Sequence, residues 1–227
     1  VDVLFKAVDA EAVLAAFSVD SVEGDVGVPI WTTTPWTLPA NQAVALNAVL
    51  DYVLVKGHWQ GQSLSIVIAA ELKEAVVARI GMEDAEVLGT CKGDALEHQL
   101  VQHPFYDRQV PVILGDHVTV EAGTGAVHTA PGHGDEDFRV GQQYDLPISN
   151  PVDGNGIYLP DTELFAGKFV WSANAEIVEL MQSRKVLLHH EAFLHSYPHC
   201  WRHKSPTAFR VTPQWFIDMD KAGLRTQ

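Results

Sequence analysis

The sequence predicts a mostly β domain with a few helices, an α+β chain whose sheet is closed or strongly curved. Three observations predict it. Short runs rich in Val, Ile, Leu and Thr outnumber the helical stretches. Gly, Asp or Pro interrupts those runs within a few residues, as turns do. The connections between runs are too short for the regular crossover helices of a parallel α/β fold.

The elements follow in order. Val3, Phe5 and Ala7 alternate with Asp2, Leu4 and Lys6 as a strand does. From Asp9, placed to cap, Ala12, Val13, Ala16 and Phe17 recur at helical spacing. Strands are expected over 26–32, 52–55 and 64–68. A second helix over 70–80 puts Leu72, Val76, Val77 and Ile80 on one face, with Gly81 where a C-terminal cap belongs. Further strands are expected over 110–114, 118–120 and 125–129. Pro131-Gly132 then makes a turn, and a helix starting near His133 or Gly134 lines up Phe138, Gly141 and Tyr144. Asp153-Gly154-Asn155-Gly156 is a strong turn signal. Ser172 is expected to start a third helix through Ser183 that buries Ala175, Val178 and Met181, before a strand over 186–189. From about Ser196 the text changes to Tyr-Pro-His-Cys-Trp-Arg-His-Lys-Ser-Pro. The chain therefore reads as a domain over 1–195 followed by a connector over 196–227.

Composition narrows the function classes. The 227 residues suit one large domain or a domain with an appendage, and a chain of this size buries about 70% of its potential surface. The formal net charge of −14 argues against wrapping a nucleic-acid backbone, where clustered Lys and Arg supply the affinity. It leaves open the handling of one end of a nucleic acid that another domain holds. No apolar run is long enough to span a bilayer and no basic-then-apolar signal pattern is read at Val1, so no membrane partner is expected. The chain begins without Met, almost directly in strand-like sequence, and reads as a piece of something longer. Its two cysteines, Cys91 and Cys200, indicate no disulfide framework and fit a reducing, cytoplasmic setting.

Two segments are unlike ordinary core or surface. In Gly123-Thr-Gly-Ala-Val-His128-Thr-Ala-Pro-Gly-His133-Gly-Asp-Glu-Asp137-Phe138, two imidazoles and three carboxylates stand beside small residues. Asp135, Glu136 and Asp137 fall in a first helical turn, where exposed amides favour carboxylates. Asp137 directly precedes the apolar Phe138, so in a cleft it would anchor an amino group or polarise water. In Ile30-Trp-Thr32-Thr33-Thr34-Pro35-Trp36-Thr37-Leu-Pro39-Ala-Asn41, the threonines read either as an edge strand or as the lining of a small pocket walled by Trp31 and Trp36. Pro35 forbids continuation as a central strand.

A metal site is not expected. His128 and His133 match no His-Glu-x-x-His or His-x-His spacing, and the cluster His195, His199, Cys200 and His203 fits no closed structural site. Nucleophile elbow, phosphate loop and dinucleotide fingerprint are all missing. An enzyme built on these segments would use water directly, with no cofactor in this piece.

Trp31 to Asn41, Gly123 to Phe138 and Ser196-Tyr-Pro-His-Cys-Trp-Arg-His-Lys204 together resemble isoleucyl-tRNA synthetase, and specifically the editing insertion of the class I Ile, Val and Leu enzymes. The likeness covers nearly the whole chain, with the valyl enzymes next nearest. It implies a β-barrel-like editing domain that hydrolyses mischarged Val-tRNA(Ile), and also valyl-adenylate, within a monomeric parent whose synthetic signatures are not in this sequence. By the same resemblance, Asp137 holds the substrate ammonium and His128 lies beside the amino-acid side chain and excludes isoleucine. Thr32, Thr33, Thr34 and Thr37, with Asn41 behind them, line the pocket, contact the terminal adenosine or position water, beside the substrate-binding wall read at Trp36. The implied partners are the 3′ end of the mischarged tRNA and the parent synthetase domains.

Overall fold

In the computed structural model, which describes residues 1–192 and 197–226, ten strands build one mixed sheet flanked by four short helices. In chain order they are β1 (Asp2–Ala7), α1 (Ala10–Ala16), β2 (Asp25–Trp31), β3 (Ala43–Leu46), β4 (Asp51–Trp59), β5 (Gln62–Ala69), α2 (Lys73–Ile80), β6 (Glu83–Lys92), β7 (Leu100–Gln102), β8 (Gln109–Leu114), β9 (Val127–Thr129), α3 (Asp135–Gln143), α4 (Val170–Ser183) and β10 (Leu187–His189).

The strands follow the spatial order β6-β4-β5-β2-β1-β7-β8-β3-β9. β2 with β5 and β3 with β8 run parallel, and the other pairs run antiparallel. The mostly β class with a few helices is as expected. The closed barrel is not, because β6 and β9 end the path without pairing to each other. β1 lies at the centre, its other edge shared between β10 near Asp2 and β7 near Ala7. Its residues Val3, Leu4 and Phe5 are therefore buried on both faces, which replaces the expected alternation with a continuous apolar run.

Local chemistry explains where the remaining elements begin and end. Asp9 caps α1 by accepting the Ala12 amide at 3.0 Å. Gly81 closes α2 in the left-handed region at φ 67°, its amide bonded to the Ala78 and Val77 carbonyls. α4 starts two residues before the expected Ser172, whose hydroxyl donates back to the Phe169 carbonyl at 2.8 Å instead of capping. Its buried stripe is Val170, Ala173, Ile177 and Met181, so Ala175 falls outside that stripe and Val178 is not in it either. The expected strand over 118–120 is a loop. Val118 there joins Ala43, Ala45, Ile113 and Val140 in a small second core under β3. The main core runs beneath the rest of the sheet and reaches α1, α2 and α4.

Candidate functional site

The threonine segment forms a turn where an edge strand was one expectation. β2 ends at Trp31, and Thr32 takes the Thr34 amide on its hydroxyl at 3.0 Å, a local bond that competes with strand pairing. From Pro35, whose fixed φ suits a first helical position, the chain coils into a 3₁₀ turn over Pro35–Ala40 that is buried throughout. Such a turn leaves carbonyls and amides for other groups to satisfy. Asn174 of α4 accepts the Trp36 amide at 3.0 Å, and the Tyr158 hydroxyl donates to the Trp36 carbonyl at 2.5 Å. The His103 Nε2–H donates to the Leu38 carbonyl at 2.9 Å, and the Arg108 guanidinium to the Pro39 carbonyl at 3.2 Å. Those four side chains were not among the expected site residues. The available signal was a polar group standing in apolar text, as Asn174 does between Ala173 and Ile177.

The second segment meets the first through β3. Val44 pairs with His128 and Ala43 with Thr129, and the Gln42 amide donates to the Thr129 carbonyl at 2.8 Å. This register sets the buried His128 Nε2 at 2.9 Å from the Thr37 hydroxyl. The Thr37 hydroxyl in turn donates to the Thr34 carbonyl at 2.8 Å, which leaves its oxygen to accept from His128. The histidine proton is therefore on Nε2, and the buried Nδ1 is a bare lone pair with no protein partner among the described residues. Burial first, and the neighbouring His133 second, push the His128 pKa down to about 4, so the ring is neutral at pH 7.

The three acids of α3 separate by exposure. Asp135 and Glu136 face solvent, and Asp135 pairs with Arg139 one turn on. Asp137 turns inward and is half buried, and its Oδ2 accepts the Ala130 amide at 2.8 Å, two residues beyond His128. Desolvation raises its pKa above the usual carboxylate value, with the Ala130 amide and His117 pulling the other way. No Lys or Arg forms an ion pair with it among the described residues.

Of the expected residues, Thr34, Thr37 and His128 are joined by direct hydrogen bonds, and Asp137 reaches the same strand through Ala130. The indole of Trp36 packs edge-on against His133 with ring centroids 5.2 Å apart. Asn41 is fully buried behind them, its amide donating to the Ala43 carbonyl at 2.8 Å while its Oδ1 has no protein partner among the described residues. Thr32 and Thr33 face a cavity of about 490 Å³ on the other side of the turn, bordered by α4 at Asn174 and Val178 and by Glu191.

The tail closes over the rim. The His133 Nδ1–H donates to the Phe209 carbonyl at 3.0 Å, and the Val211 amide to the Gly132 carbonyl at 2.8 Å. On its other side Gly132 lets the Ser149 backbone pack close, since a Cβ there would stand 2.1 Å from the Ser149 carbonyl oxygen. Of the second His/Cys cluster, His195 and the boundary at 195/196 lie outside the described residues. Among the described residues no group of three or more His, Cys, Asp or Glu side chains is arranged to hold a metal ion.

Comparison with known proteins gives concordant results. Residues 11–183 match the family model described as "Leucyl-tRNA synthetase, editing domain". The chain is 57% identical over 230 residues to an isoleucine–tRNA ligase of Vibrio vulnificus (strain YJ016) and 56% identical over 227 residues to that of Shewanella pealeana. It is aligned over its full length in both but spans only 24% of each relative. Among solved structures, the editing domain of the P. falciparum cytosolic leucyl-tRNA synthetase (space group P21) superposes with TM-score 0.64 at 12% identity, covering 84% of this chain and 99% of that one. The corresponding P. knowlesi domain gives 0.61 at 10% identity, over 81% and 94%. At that identity the two structures share the fold.

Proposed function

This chain belongs to the aminoacyl-tRNA synthetase editing-domain family, and we propose that it proofreads for an isoleucine–tRNA ligase by hydrolysing the ester of Val-tRNA(Ile). The observation that carries this reading is the joining of the threonine turn to the His128 strand by the Thr37–His128 hydrogen bond, with Asp137 bonded to the same strand-and-turn at Ala130.

The chemistry follows from those groups. Asp137 keeps one oxygen on Ala130 and offers the other to an α-ammonium, whose charge would offset the desolvation that raises the carboxyl's pKa. We place the apolar side chain beside His128, whose neutral ring tolerates such a neighbour. Water attacks the acyl carbonyl directly, and the threonine turn is the nearest source of groups to steady the developing oxyanion. Water's oxygen bonds to the acyl carbon, the ester C–O bond breaks, and the proton passes to the departing ribose oxygen. Valyl-adenylate carries the same ammonium and side chain and fits the same two contacts.

Magnitudes explain why such a site is needed. One methylene in a hydrophobic pocket separates isoleucine from valine by only about 1–3 kcal/mol, or roughly 10–200-fold. A second site that admits the smaller residue and rejects the larger multiplies that ratio. The test is single-turnover deacylation of Val-tRNA(Ile) and Ile-tRNA(Ile) by this chain and its Asp137→Ala variant. Hydrolysis of the valyl ester alone, abolished by the substitution, is the expected result. Unchanged hydrolysis by the variant would remove Asp137 from the site.

A further inference from the structure

Charge is distributed unevenly along this acidic chain. Residues 196–227 hold five of its fifteen Lys and Arg but only two of its twenty-nine Asp and Glu, so the tail is net positive and the body net negative. Part of that positive charge is gathered on a compact hairpin. His199 bridges to Pro206, the Cys200 amide donates to the Ser205 carbonyl at 2.8 Å, and the Thr207 amide to the Pro198 carbonyl at 3.0 Å. The Lys204 amide bonds back to the Cys200 carbonyl at 2.8 Å, and Lys204 itself takes φ 55° to close the loop. Its tip is Trp201-Arg202-His203-Lys204, four exposed side chains in a row. Trp201 is 76% exposed, and the Arg202 guanidinium lies 5.0 Å from its ring centroid. Neither Arg202 nor Lys204 meets a carboxylate among the described residues.

The hairpin stands at the rim of the candidate site, anchored there at both ends. Before it, the Tyr197 ring packs edge-on against Trp171 at 5.4 Å, and Trp171 against Trp36 at 5.6 Å. After it, Phe209 and Val211 bond to His133 and Gly132. A large exposed indole with cations around it suits single-stranded nucleic acid, where bases stack on aromatic faces and phosphates meet Lys and Arg. We propose that the 198–207 hairpin grips the single-stranded 3′ end of RNA at the mouth of the site, with Trp201 stacking a base and Arg202 and Lys204 meeting the phosphates beside it. The proposal rests on the editing reading, which brings such a strand to this rim.

The test uses the whole chain and a short RNA stem carrying a single-stranded 3′ overhang, with the same stem cut blunt as control. Binding is followed by fluorescence anisotropy across a salt series. Trp201→Ala should weaken overhang binding roughly 5- to 150-fold and leave blunt-stem binding unchanged. Arg202→Ala with Lys204→Ala should flatten the plot of log affinity against log salt by about 0.7 for each phosphate no longer neutralised. These residues touch no core, so unchanged thermal midpoints would show that the fold persists. Overhang binding equal to the unsubstituted chain overturns the proposal, as does an equal loss on the blunt stem. It is overturned too if Trp201→Ala leaves RNA binding intact and instead loosens the chain's attachment to a longer parent. A chain that binds the overhang through this hairpin yet hydrolyses no aminoacyl ester would refute the editing reading and leave the RNA contact standing.

Discussion

Acid should unfold this protein through His128, by an amount the structure sets. Folded His128 has its pKa near 4 because the ring is buried, with the neighbouring His133 pushing the same way. In the unfolded chain the same imidazole titrates near 6.5, so a depressed pKa means that the unfolded state takes up the proton first. The associated stability is complete above the unfolded pKa and drains away as pH falls from about 6.5 toward 4. At pH 5 the linkage amounts to about 2 kcal/mol relative to pH 8 for this one residue. His103, pushed down to about 3 by burial while it donates to Leu38, drains over a wider window, from about 6.5 toward 3. The perturbation is His128→Gln, whose side-chain amide keeps a donor for Thr37 but cannot titrate. Urea unfolding at pH 8 and pH 5 should show the variant losing about 2 kcal/mol less on acidification than the unsubstituted chain. An equal loss in the two proteins would refute the buried, neutral, Nε2-protonated assignment. An NMR titration placing His128 near 6.5 would refute it directly.

Three further outcomes test other parts of the architecture. Truncating His128 to Ala should widen the pocket and start hydrolysis of correctly charged Ile-tRNA(Ile), measured by loss of acid-precipitable radiolabel; continued rejection of the isoleucyl ester would count against its steric role. Arg79 makes a two-point ion pair with Asp2, whose side chain is 1% exposed, at 2.7 and 3.1 Å, and also bonds the Gly123 carbonyl at 3.0 Å. Arg79→Met should cost about 3–5 kcal/mol in urea unfolding by stranding that carboxylate, and adding Asp2→Asn should recover part of it. Treatment with a chelator should leave deacylation unchanged, and inactivation would point instead to a metal-dependent hydrolase using His128 and His133.

Some elements were legible in the sequence because their causes are local. Asp9 capping α1 and Gly81 ending α2 depend on residues within one turn, so spacing alone placed them. β3 and β6 have no such signature. β6 carries exposed Glu83, Asp84 and Glu86 and is a strand because β4 pairs with it across most of its length. The short apolar β3 is decided by its two partners, β8 and β9. Sheet closure failed for a related reason, since curvature can be guessed from strand content but the free edges of β6 and β9 depend on distant pairing.

The site divides along the same line. Resemblance named Thr37, His128 and Asp137, but their relation is made by the β3–β9 register, a contact between residues 91 apart in sequence at its hydrogen bond. A one-residue slip of β9 would turn His128 to the opposite face and bring Val127 toward Thr37. That register is itself held from outside the two motifs. Tyr52 donates to the Gly125 carbonyl at 2.6 Å, and the Ala69 amide to the Thr124 carbonyl at 2.9 Å, just before β9 begins. Gly125 has φ 80°, and a Cβ on it would stand 2.3 Å from that of Ala69. Gly125→Ala should therefore cost on the order of 1–3 kcal/mol from backbone strain alone, with the clash against Ala69 added to it. Because the displaced strand carries His128, loss of discrimination between valyl and isoleucyl esters should exceed the loss of stability when both are measured at a temperature where the variant is fully folded. Discrimination that stays intact while stability falls would mean that the register of β9 is fixed by β3 alone.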